Sequence, residues 1–124
     1  MKIILGIGIG SFIGGISRYL LTDLIQKHFS STFPYGTMFV NIIGCFFIGI
    51  VYGWASTGNL SEEGRLFLTT GLIGGFTTFS AFSFEIITML QNNELFYAIL
   101  YLIISVLIGL LMTFLGILLM KLMM

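Results

Sequence analysis

Apolar residues run along this chain in four long blocks, separated by three short polar interruptions. The blocks show neither the strict alternation of a half-buried strand nor the spacing of an amphipathic helix. Blocks of roughly 20 apolar residues match the thickness of a bilayer's hydrocarbon. The pattern therefore predicts four transmembrane helices, over about 3–25, 35–55, 64–90 and 95–120. The first interruption runs from Gln26 to the one proline, Pro34, and the third is Gln91-Asn92-Asn93-Glu94. The second, Ser56 to Glu63, carries helix-start chemistry: Ser61 as N-cap, then acids in the first turn where the helix dipole favours them.

Composition removes the soluble alternative. The chain is 57% hydrophobic and 8% charged, with formal net charge zero, against about 25% charged residues in soluble domains. Folded in water it would lack polar surface to cover itself, so we read a single-domain, multi-pass plasma-membrane protein. Zero net charge argues against nucleic acid, since no basic stripe exists to neutralise phosphates. Cys45 and His28 are each the only residue of their type, which excludes a disulfide framework and a Cys/His metal cluster. Met1-Lys2 and the apolar run behind it could mimic a signal peptide, but no Ala-x-Ala site follows and Arg18 interrupts the run, so it reads as the first span. A lone bundle of this size encloses little volume, so a transport path calls for a second copy. With four spans, Lys2, Arg65 and Lys121 share one side and Lys27 the other, joined by Arg18 if it snorkels there. That weak bias fits insertion in both directions and antiparallel pairing; a fixed orientation with a modest bias is the alternative.

Within the spans, small and polar residues carry the information. Gly6, Gly10 and Gly14 lie four apart on one face of the first helix, where another backbone can approach closely, and Gly49 and Gly53 do the same in the second. Gly8-x-Gly10 resembles part of a dinucleotide fingerprint, but no strand precedes it. The third span holds Gly71-Leu72-Ile73-Gly74-Gly75-Phe76-Thr77-Thr78-Phe79-Ser80, poor helix material. A break there would free carbonyls at hydrocarbon depth, which is tolerated only where protein or an ion satisfies them; the alternative is a straight helix with small packing residues. Asn41 is either interhelical glue or an amide donor to an anion. Thr77, Thr78, Ser80 and Ser83 put hydroxyls around the proposed break, interleaved with phenylalanines. Phe79 and Phe82, three apart, share a face, and ring edges carry partial positive charge. Such edges could line an anion path without trapping the ion, although most of thirteen phenylalanines must be core or lipid-facing. Glu85 is a deep carboxylate or one that reaches the interface, and Arg18 an interior cation or an anchor. Tyr97, Tyr101 and Ser105 draw a polar line along the fourth span, extended by Gly109 and Thr113. Asn59-Leu60-Ser61 has the form of a glycosylation sequon, but nothing indicates a secretory setting.

Three segments resemble the Fluc (CrcB) family of fluoride channels: Gly14-Gly15-Ile16-Ser17-Arg18-Tyr19, Gly36-Thr37-Met38-Phe39-Val40-Asn41-Ile42-Ile43-Gly44, and the Gly71–Ser80 stretch. The resemblance covers all four spans. It implies an all-α membrane protein whose third helix is broken near its middle. It also implies a dual-topology antiparallel homodimer that exports fluoride passively through two pores, each lined by both subunits. A structural sodium ion would sit at the dimer centre, held by the backbone carbonyls of Gly74 and Thr77. The ion pathway would comprise Phe79 and Phe82 with Thr37, Asn41 and Ser80 nearby, Glu85 further along, and the track of Tyr97, Tyr101 and Ser105. Gly6, Gly10, Gly14 and Arg18 would serve packing or the dimer. The family often has threonine where this chain has Ala81, which removes a hydroxyl close to the path.

Fluoride is small and strongly hydrated, so a selective path must replace its water with many weak donors and still release it. The Asn41 amide, hydroxyls and ring edges suit that, and no lysine sits among them to hold the ion. Nothing resembles a nucleotide site, so flow should be downhill. The nearest rival is a small multidrug exporter, also four spans in an antiparallel dimer, but those depend on an acid embedded in the first span, and here none precedes Asp23. A non-transporting assembly factor is a second rival. A membrane enzyme is a third, weakened by a lone histidine in a loop and no visible nucleophile–base pair.

Overall fold

The computed structural model describes residues 1–124 and is entirely helical. Helix α1 covers Lys2–Phe29, α2 Tyr35–Ala55, and α6 Leu95–Met123. The third span, Glu62–Gln91, is composite. It begins as α3 (Glu62–Leu66), widens into a π-helical stretch over Phe67–Ile73, and tightens into a single turn, α4 (Gly74–Phe76). The chain is then extended at Thr77 (φ −89°, ψ 159°) and Thr78 (φ −150°, ψ 118°) before α5 (Phe79–Gln91). The expected break is there, at the paired threonines. All four spans are long and apolar enough to cross a bilayer, and the chain is a multi-pass membrane protein.

Local chemistry explains the boundaries. Ser61 caps α3 as expected, its hydroxyl accepting from the Gly64 N–H at 3.1 Å, with Glu62 and Glu63 in the first turn. The first span runs past Ile25 to Phe29, and Gln26 is helical, not loop. Its side chain reaches forward: Nε2 donates to the Phe33 carbonyl at 3.0 Å, and Oε1 accepts from the Gly36 N–H at 3.1 Å. One amide thus ties the end of α1 to the start of α2 and satisfies a first-turn donor that has no partner within its own helix.

Two glycine seams hold the spans together. On α1, a Cβ at Gly10 or Gly14 would strike the backbone of Leu72. The answering glycines are Gly71 and Gly75, whose Cβ positions would meet Ile7 and Ser11 backbone at 3.0 and 2.6 Å. Gly6 faces open space and packs nothing within the chain. On α2, Gly49 and Gly53 seat against Thr113, Ile117 and Met120 of α6, and Gly116 answers against Phe46 and Ile50. With lipid on both sides there is no hydrophobic force to press helices together, so close backbone approach and dispersion do it. A buried apolar cluster, Met38, Phe82, Met89, Ala98 and Tyr101, lies where α2, α5 and α6 meet.

Candidate functional site

The broken third span creates the site because it leaves backbone groups that another element must answer. At Thr78 the answer comes from α2. Asn41 Nδ2 donates to the Thr78 carbonyl at 2.9 Å, and Asn41 Oδ1 accepts from the Thr78 N–H at 2.8 Å. Asn41 is thus the glue between α2 and the break, with one amide hydrogen still uncommitted. The Thr78 hydroxyl caps α5 by accepting from the Ala81 N–H at 3.2 Å, and lies 3.2 Å from the exposed Ser80 hydroxyl. The Thr77 N–H and hydroxyl both donate to the Ile73 carbonyl, at 2.9 and 3.0 Å. No side-chain or inter-element hydrogen bond ends on the carbonyl of Gly74 or Thr77. The Thr77 methyl fills the space that Gly44 leaves by lacking a Cβ, so α2 meets the break at both Asn41 and Gly44.

A second polar group lies one layer away. Glu85 takes the Thr37 hydroxyl on Oε1 at 2.6 Å and the Tyr101 hydroxyl on Oε2 at 2.7 Å. Thr37 and Tyr101 are buried, and three elements therefore converge on one carboxylate. Glu85 is half-buried, and each of its oxygens accepts one hydroxyl from a neighbouring helix.

The two phenylalanines divide their work. Their ring centroids are 5.9 Å apart, as the shared face implies. Phe82 is buried (7% exposed), edge-on to Tyr101 at 5.0 Å, whereas Phe79 is 79% exposed. Between the break and α6 lies a cavity of about 350 Å³ with Asn41, Thr77, Thr78, Phe79, Phe82 and Ser105 on its walls. The Ser105 hydroxyl oxygen is buried and has no hydrogen-bond partner, and the same is true of Arg18 Nε on α1. Thr69 and Cys45 also line this cavity; their places in the sequence carry no signal of it. The expected track on α6 is divided: Ser105 faces this cavity, Tyr101 holds Glu85, and Tyr97 lines a different cavity at the end of the bundle.

What the arrangement can do follows from its chemistry. Its walls offer one amide hydrogen, hydroxyls and two phenylalanine rings. No lysine or arginine is among them. Such walls can solvate a small anion weakly and at several points, and they contain no nucleophile–base pair.

The family described as CrcB-like protein, Camphor Resistance (CrcB), matches residues 5–117. A relative from Flavobacterium psychrophilum is 45% identical over 122 residues, 98% of each chain, and is named Fluoride-specific ion channel FluC. Proteins of the same name from Thermus thermophilus and Aquifex aeolicus are 43% and 37% identical, covering 89% and 94% of this chain and 88% and 94% of their own lengths.

Proposed function

The chain belongs to the CrcB family of fluoride channels, not to any enzyme class, and from that premise we propose that it exports fluoride passively through two pores of an antiparallel homodimer built around a structural sodium ion. The observation that carries the fluoride path is the cavity beside the break. Asn41, Thr78, Phe79, Phe82 and Ser105 line this one space, and the Asn41 amide keeps one hydrogen that no protein acceptor takes. Fluoride would exchange its water for the Asn41 amide hydrogen, hydroxyls and the rims of Phe79 and Phe82. It would then move on towards Thr37, Glu85 and Tyr101, where hydroxyls already committed to a carboxylate give way one at a time. Weak donors in series favour release over capture.

One feature supports the second copy. Phe79 is an aromatic wall of the cavity with most of its ring uncovered, so a pore built on it needs a cover from outside the chain. Sodium fits the donor set at the break, since the Gly74 and Thr77 carbonyls are hard oxygen ligands without side-chain partners. Bound there, it would satisfy those carbonyls and add a fixed positive field. The exporter reading has little to stand on: Asp23, the first-span acid, is exposed and paired with Lys27 at 2.6 Å.

The test is reconstitution. Vesicles holding the purified chain should lose fluoride and retain chloride, and should do so only when sodium is present during assembly. Phe79→Ile or Phe82→Ile should abolish efflux while dimers still form. Wild-type efflux in both variants would remove the role given to the rings, and tight vesicles with the native chain would remove the channel.

A further inference from the structure

A second cavity, about 380 Å³, opens at the end of the bundle where the first and third loops meet. Its chemistry is opposite to that of the fluoride path. Phe33 lines it, with the Tyr35 ring 4.8 Å away and the Tyr97 ring 6.4 Å away. These rings come from the first loop, α2 and α6, so the aromatic wall is assembled by the fold and not by a local run of sequence. Glu94 closes the rim. The one ion pair of the chain is Lys27–Asp23, and the Glu94 carboxylate makes neither an ion pair nor a hydrogen bond. Met38 and Met89 form the floor and belong to the packed cluster that includes Phe82 and Tyr101.

We propose that this cavity binds an organic ammonium group, with its charge facing Glu94 and its methyl or methylene carbons against Phe33, Tyr35 and Tyr97. Ring faces carry negative potential and attract cations within about 6 Å of their centres, and aromatic walls of this kind suit alkylammonium groups. A carboxylate at the rim supplies the full charge. The same features reject the alternatives. An anion would meet the unpaired Glu94 carboxylate. A hard metal ion needs several oxygen ligands, and no cluster of three acidic, histidine or cysteine side chains exists in the chain. The ammonium group could arrive as a dissolved solute or as the headgroup of a neighbouring lipid, because the cavity lies at a span end.

Because the floor packs on Phe82 and Tyr101, an occupant would sit one side-chain layer from Glu85. Its effect on flux rests on the function proposed above, but its binding does not. The purified native chain in detergent should be titrated with tetramethylammonium chloride by calorimetry, with sodium chloride at matched ionic strength as reference. Saturable binding of tetramethylammonium and none of sodium is expected. Glu94→Gln and Tyr97→Leu should each weaken it about tenfold, and Glu62→Gln, at the start of α3, should leave it unchanged. Adding an ethanolamine-headgroup lipid separates the sources: competition assigns the site to lipid, and its absence to a solute. No saturable binding, or the same isotherm in Glu94→Gln as in the native chain, overturns the proposal. Fluoride efflux from vesicles, measured separately, reports on the channel and leaves this isotherm untouched.

Discussion

The second and third spans cross the same hydrocarbon by opposite means. Helix α2 is unbroken from Tyr35 to Ala55, so its interior N–H and C=O groups are answered within the helix, and its glycines need only admit a neighbour. The third span changes geometry four times between Glu62 and Gln91 and leaves backbone outside regular helix at Thr77 and Thr78. The regular helix supplies what the irregular one lacks. Asn41 closes both backbone groups of Thr78, Thr37 bonds Glu85, and Gly44 makes room for the Thr77 methyl. One span is the scaffold and its neighbour is the site, and the scaffold is what makes the site affordable in lipid.

The comparison breaks most completely if the scaffold is overfilled. In Gly49→Val the new side chain would collide with the Thr113 carbonyl of α6, which is backbone and cannot rotate away. Overpacking commonly costs about 1–3 kcal/mol, and a backbone collision should lie at or above the top of that range. The expected result is loss of monodisperse protein on size exclusion in detergent. Gly6→Val is the control, because nothing lies within 4 Å of a Cβ there, and it should elute as the native chain does. Loss of both proteins would mean that Gly6 is buried by something outside the chain.

Cutting the link between the spans should come next. Asn41→Ala strands the Thr78 N–H and carbonyl together, at about 1–3 kcal/mol for an unsatisfied buried group. A drop of about 2–3 kcal/mol in unfolding free energy is expected, with fluoride efflux lost. Asn41→Asp keeps an acceptor for the Thr78 N–H and, in its neutral form, an O–H for the Thr78 carbonyl, but at the cost of holding a carboxyl neutral, so its stability should fall between the two. If Asn41→Asp unfolds like the alanine variant, the cost of the neutral carboxyl cancels both hydrogen bonds.

Much of this division is legible in the residues themselves, and the rest is not for a definite reason. Block length marks the spans, Ser61 with two acids marks a helix start, and paired glycines and threonines mark the break. These are local signals, encoded within a few residues. Pairings are different. Asn41 with Thr78, Thr37 with Glu85, and Gly10 and Gly14 with Gly71 and Gly75 join residues many turns apart. Spacing shows that each needs a partner but not which one it takes. The i, i+4 line of Tyr97, Tyr101 and Ser105 misleads for the same reason: the three share a helix face, but that face passes two cavities and a core. The equal standing of Phe79 and Phe82 also ends there, since burial depends on where α6 lies.

Glu85 tests whether the second polar group belongs to scaffold or site. Glu85→Ala leaves the Thr37 and Tyr101 hydroxyls without an acceptor and should cost about 1–2 kcal/mol. Glu85→Gln should cost less, because a carboxamide oxygen still accepts one hydroxyl and its NH₂ can donate to the other. A role in conduction requires that Glu85→Gln slow fluoride efflux although it folds normally. Normal efflux in a folded Glu85→Gln would confine Glu85 to packing.

The smallest expected effect gives the sharpest comparison, since the third span uses one capping device in two solvents. Ser61 accepts from Gly64 N–H at 3.1 Å in an exposed loop, and Thr78 accepts from Ala81 N–H at 3.2 Å at the depth of the break. The geometry is nearly the same, so the difference lies in what replaces a lost cap. At Ser61→Ala water can hydrate the freed N–H, and a loss of about 0.5–1 kcal/mol is expected. At Thr78→Ala the freed N–H faces hydrocarbon and protein, and the loss should rise to about 1–2 kcal/mol. Unfolding of the two variants in the same detergent measures the ratio. Equal losses would mean that water already reaches Ala81, and with it the cavity beside Asn41, Phe82 and Ser105.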